Sequence, residues 1–115
     1  MTPDQTENRP AVTTLLEDLV EDATDVHVAV ENRNIEDLYT FEIARLLEQD
    51  RDGETALHYA AVNDDLEICK ILIQRNPEII GIKDVEDKTA YDWACEYNNE
   101  YNSHIEICEF LKKYQ

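Results

Sequence analysis

The sequence predicts an all-α fold, a solenoid of helical hairpins, from two repeated patterns. A Thr-x-x-x-x-Ala pattern occurs three times, as Thr24–Ala29, Thr55–Ala60 and Thr89–Ala94, at intervals of 31 and 34 residues. An apolar pattern at helical spacing follows the middle and last copies, as Leu66–Leu72 and Ile105–Leu111. Repetition at a period of about 20–50 residues is typical of stacked units, so we expect helices paired in chain order and no sheet.

The N-terminal segment divides into a tail and a short helix. Residues 1–10 hold two prolines and no large apolar side chain after Met1, which predicts a flexible tail ahead of a single domain at 11–115. A helix should follow, because Thr14 and Glu17 form a capping box. An end repeat has one face without a neighbour, and we expect this helix to cap it. Its apolar stripe consists of Leu15, Leu16, Leu19 and Val20.

The middle unit shows the hairpin most clearly. Its first helix is predicted from about Thr55 to Val62, with Thr55 at the N-cap, and its second from about Leu66 to Arg75. Asn76 and Pro77 should end the second helix, because proline disfavours the helical conformation of the residue before it. The residues expected to fill the seam between helices and units are Leu57, Leu66, Ile68, Cys69, Ile71 and Leu72.

The third unit is longer than the second. Its second-helix pattern lies 39 residues after that of the middle unit, which indicates five added residues between its helices. We expect them in a loop within Glu96–His104. Tyr97 and Tyr101 fall in that loop, where they are candidates for interface anchors or cover the loop itself.

The first unit allows two registers. In one, Phe41–Leu47 forms the second helix, with about six residues inserted before it and Tyr39 among them. In the other, Ile35 and Glu36 align with Leu66 and Glu67, and three residues are missing afterwards. The first register is preferred, because its apolar pattern is the closer copy.

Charge and cysteine content limit the partners and the compartment. With 27 acidic and 10 basic residues the net charge is −17, which repels nucleic acid and anionic membranes and attracts basic surfaces, or serves solubility alone. The cysteine count is three, without paired spacing, which fits free thiols and a reducing compartment. No signal-peptide pattern and no run of 18 apolar residues is present, so a cytoplasmic protein is expected.

Candidate catalytic and metal-binding residues are better explained by the repeat. Cys95, His104 and Cys108 suggest zinc, but Cys108 repeats the core position of Cys69. Acidic pairs such as Asp64 and Asp65 fall on turns, where solvated charge is usual. Two glycines are too few for a phosphate loop. We therefore expect no enzyme, no metal and no cofactor.

One segment carries a family resemblance. Asp52–Ala61 resembles the turn and first helix of an ankyrin repeat, whose usual signature is Thr-Pro-Leu-His-x-Ala. The resemblance covers about residues 19–115, in units of about 20–49, 50–83 and 84–115. It departs from the family where the proline is replaced, and the turn glycine remains only as Gly53. The residues replacing that proline are Asp25, Ala56 and Ala90.

The resemblance implies roles for particular residues. The motif histidines His27 and His58 would hold backbone near the turns and tie units together, and Asp92 takes their position in the third unit. Trp93 would pack between units. Partners in the family bind the concave face of hairpin tips and first helices. Carried over by position, the contact residues are Glu21, Glu31, Asn32, Arg51, Asp52, Glu54, Val62, Asn63, Val85, Glu86, Lys88, Glu96 and Tyr97.

The predicted function is non-enzymatic protein binding. The protein would be an adaptor or an inhibitor that binds a basic or mixed protein surface through the concave face, and would be monomeric by itself. An immunity or antitoxin-type inhibitor of a basic toxin or nuclease is an alternative with the same mechanism. A different alternative is an acidic mimic of nucleic acid, which needs carboxylates spaced like phosphates.

Overall fold

The fold is built from helices alone in the part of the chain that the structure, a computed structural model, describes, residues 24–115. The predicted tail, the capping helix and Glu21 lie outside those residues. Two 3₁₀-helices, Ile43–Leu47 and Pro77–Gly81, accompany the α-helices. The α-helices are α1 (Asp25–Glu31), α2 (Ile35–Thr40), α3 (Ala56–Val62), α4 (Leu66–Arg75), α5 (Ala90–Tyr101) and α6 (Ile105–Lys112).

The helices form two layers. In the first layer α1 contacts α3 and α3 contacts α5, while α2, α4 and α6 pack in the same order in the second layer. Each first-layer helix also packs on the helix that follows it in the chain. This arrangement of three consecutive hairpins confirms the predicted all-α repeat solenoid.

Threonine begins every first-layer helix. Thr24, Thr55 and Thr89 have extended backbones, and each hydroxyl accepts a hydrogen bond from the amide of the third helical residue. The side chain of that third residue accepts a bond from the threonine amide, which completes a capping box. The repeated threonine therefore fixes where α1, α3 and α5 begin.

The motif histidines join successive units, as the resemblance implied. His58 Nδ1 accepts from the Thr55 amide at 3.0 Å, so the proton must lie on Nε2, which donates to the Lys88 carbonyl at 2.9 Å. His27 makes the same link to the Glu54 carbonyl at 2.6 Å. Burial lowers the pKa of His58 and so favours the neutral ring that this geometry requires.

Small residues let the layers approach closely, and the predicted seam is buried. Ala60 and Ala61 are fully buried in the C-terminal half of α3. Of the predicted seam only Leu66 is half-buried, and it packs against the core. The buried seam residues are Leu57, Ile68, Cys69, Ile71 and Leu72.

The preferred register of the first unit is wrong. Ile35, not Phe41, corresponds to Leu66, because Asn34 caps α2 with its side chain as Asp65 caps α4. The Phe41–Leu47 segment is extended at its start and then becomes a 3₁₀-helix that packs beside Pro77–Gly81.

Contacts from the middle unit explain this difference. Arg75 donates to the carbonyls of Leu38 and Phe41 at 2.7 and 2.8 Å. Asn76 donates to the Ile43 carbonyl at 2.9 Å. In a longer helix, these carbonyls at and beyond the end of α2 would accept hydrogen bonds from backbone amides of the same helix. Here the side chains of Arg75 and Asn76 donate to them instead, and α2 ends after six residues.

The predicted loop in the third unit is also wrong in part. The added residues lengthen α5 to twelve residues, against seven in α3, so Tyr97 and Tyr101 are helical. The helix ends where Asn102 takes φ 54°, a left-handed conformation that asparagine tolerates, and its amide bonds the Asn98 carbonyl at 2.9 Å.

Truncating the seam should destabilise the fold. Leu57 and Leu72 are fully buried, so Leu57→Ala and Leu72→Ala should each lower the free energy of unfolding by about 2–5 kcal/mol. Urea unfolding followed by circular dichroism measures this. Val85→Ala is the control, because Val85 is 71% exposed. A loss below about half a kcal/mol in both leucine variants would show that the seam lies elsewhere.

Candidate functional site

Two tight tips project beside the first-layer helices, at Asp50–Glu54 and Asp84–Lys88. In each tip one aspartate accepts two backbone amides through Oδ1, at 2.9 and 2.9 Å for Asp50 and at 2.9 and 3.0 Å for Asp84. The Val85 amide donates to the Asp52 carbonyl at 2.9 Å and links the tips. The tips therefore form a connected edge.

The chain turns at each tip through a left-handed residue. Gly53 has φ 79°, and Asp87 takes φ 65° at the equivalent position. A Cβ at Gly53 would lie 3.0 Å from the Val85 amide nitrogen, so glycine is needed where the tips approach. Aspartate suffices at Asp87, because its short polar side chain tolerates a left-handed turn residue.

The second oxygen of each tip aspartate holds an aromatic ring of the next helix. Tyr59 donates to Asp50 Oδ2 at 2.6 Å, and Trp93 Nε1 donates to Asp84 Oδ2 at 2.7 Å. Burial opposes ionisation of Asp84, but the bonds from the indole and two amides outweigh it and lower its pKa. The Trp93 ring is thus held by Asp84, a residue of the same repeat unit.

Sequence reasoning missed both tip aspartates as positioning residues. The available signal was an aspartate followed nine residues later by an aromatic, which occurs in the middle and last units. Recognising it would have placed Tyr59 and Trp93 against the tips.

The predicted contact residues fall into two groups. One lies in the tips and the other at exposed or half-buried positions on or just after the first-layer helices. We call the surface they form the inner face; Glu21 lies outside the described residues. The tip residues are Arg51, Asp52, Glu54, Val85, Glu86 and Lys88, and the helix residues are Glu31, Asn32, Val62, Asn63, Glu96 and Tyr97.

A cavity of about 200 Å³ joins the first two units on the inner face. Glu31 from α1 and Glu54 from the tip line it together with the Tyr59 ring, Val62 and Asn63. Asn63 Nδ2 lies 3.5 Å from Glu31 Oε1. The structure therefore brings four of the predicted residues together around one aromatic ring.

Glu54 carries an unfavourable charge in this cavity. Burial, followed by repulsion from Asp50, Asp84, Asp52 and Glu86, raises its pKa to about 7. Among residues 24–115 its carboxylate has no ion pair with a basic side chain. A cation brought to this position would relieve the repulsion.

Lys88 is engaged within its own unit. Its Nζ contacts the Glu96 carboxylate, lies 3.8 Å from Glu86 Oε1, and stands 4.3 Å from the centre of the Trp93 ring. The hydrogen bond to Glu96 raises the Lys88 pKa. This side chain is half-buried and contributes a cation–aromatic contact to the inner face.

The candidate zinc ligands do not assemble. His104 donates from Nε2 to the Val62 carbonyl and bonds the Ser103 hydroxyl through Nδ1, both at 2.8 Å. Cys95 and Cys108 lie with their Sγ atoms 3.1 Å apart as free thiols. In the described part of the chain no three His, Cys, Asp or Glu side chains could hold a metal ion.

The cysteines should differ in reactivity. Burial raises the pKa of Cys69 to about 12, whereas Cys95 is half-buried. We expect iodoacetamide at neutral pH to alkylate Cys95 before Cys69 in the native state, and all three thiols at similar rates in urea. Mass spectrometry of peptides measures this, and equal native rates for Cys69 and Cys95 would contradict it.

Neutralising Glu54 should stabilise the fold in a pH-dependent way. Its folded pKa of about 7 lies above the ordinary 4.5, so ionisation opposes folding above about pH 7, and that penalty disappears as the pH falls below 4.5. Glu54→Gln should therefore raise the melting temperature near pH 8 and leave it unchanged near pH 4. Glu36→Gln is the control, because Glu36 is an exposed residue of α2. Equal effects at both pH values would argue against a charged, strained Glu54.

Within residues 24–115, the helices are too short or too polar to cross a membrane.

Residues 6–115 match the family model for ankyrin repeats in three copies. A putative ankyrin repeat protein of Rickettsia bellii (strain RML369-C) is 43% identical over 54 residues, 47% of this chain and 56% of its own length. Inversin of Mus musculus is 37% identical over 60 residues, 52% of this chain.

The match covers only 6% of inversin, so the chain spans less than two thirds of either relative. The capping threonines, the histidine links and the stacked hairpins account for why the family pattern recurs where it does. On the match of residues 6–115 and this architecture, the chain belongs to the ankyrin repeat family.

Proposed function

We propose that this protein binds another protein through its inner face and that the partner presents a basic or mixed surface. Ankyrin repeats generally mediate protein–protein interaction. The observation that supports a basic partner is Glu54, a half-buried carboxylate with a raised pKa among four other acids. A lysine or arginine from a partner would supply a countercharge for the Glu54 carboxylate.

The charge distribution supports this choice of partner. Asp52 and Glu86 are exposed at the tips, and Glu31 and Glu96 are exposed on α1 and α5. With a net charge of −17 the whole molecule attracts cations over a distance, which speeds encounter more than it strengthens the final complex.

The specific role that we propose is an adaptor or an inhibitor that covers a basic surface, without catalysis. Three free cysteines fit a reducing compartment such as the cytoplasm. We further propose that the chain is monomeric until its partner binds. An inhibitor of a basic toxin or nuclease is the narrower form of the same proposal.

Charge reversal on the tips tests the proposal. The variant Asp52→Lys, Glu54→Lys, Glu86→Lys should slow association with an immobilised peptide of alternating arginine and lysine by about tenfold or more at low salt. The slowing should shrink at physiological ionic strength, where charges beyond about 8 Å are screened. Surface plasmon resonance gives the rates.

A second variant with the same change in charge is the control. Glu78→Lys, Glu106→Lys, Glu109→Lys alters exposed residues on the second layer and the 3₁₀-helix beside it. It should slow association less, because its charges lie away from the tips. Equal rates for the two variants would mean that the tips are not the binding surface, and association independent of salt would mean that the acidity serves solubility alone.

A further inference from the structure

The third unit has a helix longer than the repeat requires. α5 continues for five residues beyond the length of α3. The extra turn carries Glu100 and Tyr101, both exposed, past the point where α3 ends. Packing of the hairpins does not explain these two side chains, since neither is buried.

Aromatic and acidic side chains alternate along one side of α5. Trp93, Tyr97 and Tyr101 are spaced four residues apart, and Glu96 and Glu100 are spaced likewise, so each set follows one stripe of the helix. Together these five residues line a cavity of about 100 Å³. We call them the α5 shelf.

The rings of the shelf are held in place. The Trp93 indole is bonded to Asp84, as described above. Tyr97 stacks on His104 with ring centres 4.9 Å apart, and His104 is bonded to the Val62 carbonyl of the middle unit. The centres of the Tyr101 and Tyr97 rings lie 5.8 Å apart. A surface fixed before binding loses little conformational entropy when a ligand arrives.

Lys88 shows which chemistry this surface accepts. Its ammonium stands over the Trp93 ring and contacts Glu96, so an aromatic face and a carboxylate of the shelf already hold one cation of the same chain. One turn further along, Tyr97, Tyr101 and Glu100 repeat that combination. In the described residues Glu100 forms no ion pair.

We infer that the α5 shelf binds a lysine or arginine side chain from a basic segment of the partner, with the cation over the tyrosine rings and against Glu100. The inference rests on the proposed function and assigns one contact within it. Carboxylates beside the rings favour a cationic segment over an apolar one, and they repel the phosphates of a nucleic acid.

The shelf carries its own probe, because Trp93 is the sole tryptophan. Titration with the arginine–lysine peptide should change its fluorescence saturably, while calorimetry gives the affinity. Tyr97→Ala, Tyr101→Ala should weaken binding about tenfold, and Tyr101→Ala alone about threefold. Glu100→Gln should weaken it about threefold.

Matched controls lie on α2. Tyr39 is 54% exposed and Glu36 is exposed, so Tyr39→Ala and Glu36→Gln remove the same groups elsewhere and should leave the affinity unchanged. Because Tyr101 is 62% exposed, Tyr101→Ala should fold normally, which a circular dichroism melt verifies. It therefore tests the shelf even if the double variant is unstable.

The outcomes separate this inference from the proposed function. Peptide binding of equal affinity in shelf and control variants overturns the shelf and leaves a basic partner in place. Failure of the unaltered protein to bind the peptide overturns both. If the unaltered protein binds oligothymidine and Tyr101→Ala abolishes that binding, the shelf stacks a nucleic-acid base and does not bind a cation. That result would overturn the inference.

Discussion

One hydrogen bond organises the rest of this molecule: the bond from a buried histidine to the carbonyl of the next unit. His27 and His58 each accept from the threonine that caps their own helix and donate to a tip one unit further on. The ring is rigid, so it fixes both where a helix begins and how far away the next tip lies. The inner face inherits its spacing from these two rings.

The tips place acids together at a cost in electrostatic energy. Asp50 and Asp84 are needed, because each holds two amides and one aromatic ring. Their charges help raise the pKa of Glu54, which lines the cavity on the inner face together with Glu31 of α1. The same aspartates therefore rigidify the inner face and repel the Glu54 carboxylate on it. This combination favours a cationic partner.

The features that could be predicted from the sequence are those set by residues close together in the chain. The cap at Thr55 and the histidine links follow from a short motif and were predicted, and the structure repeats the cap at Thr24 and Thr89. The register of the first unit was not, because Arg75 and Asn76 end α2 from more than thirty residues away. The added turn of α5 was taken for a loop, since a polar segment with tyrosines fits either structure. The Lys88 contact with Glu96 and Trp93 was not predicted, because it depends on how the second tip folds against α5.

Asp92 occupies the histidine position of the third unit, and its carboxylate accepts the Thr89 amide at 3.0 Å without an atom that could reach onward. The middle unit is therefore joined by a histidine-to-carbonyl bond to the unit on each side. Within residues 24–115 the third unit has such a bond on one side only. In a nearest-neighbour description of repeat stability, such a unit has one interface term where the middle has two. Cooperativity should be strongest around α3, because within residues 24–115 only the middle unit takes part in two such bonds.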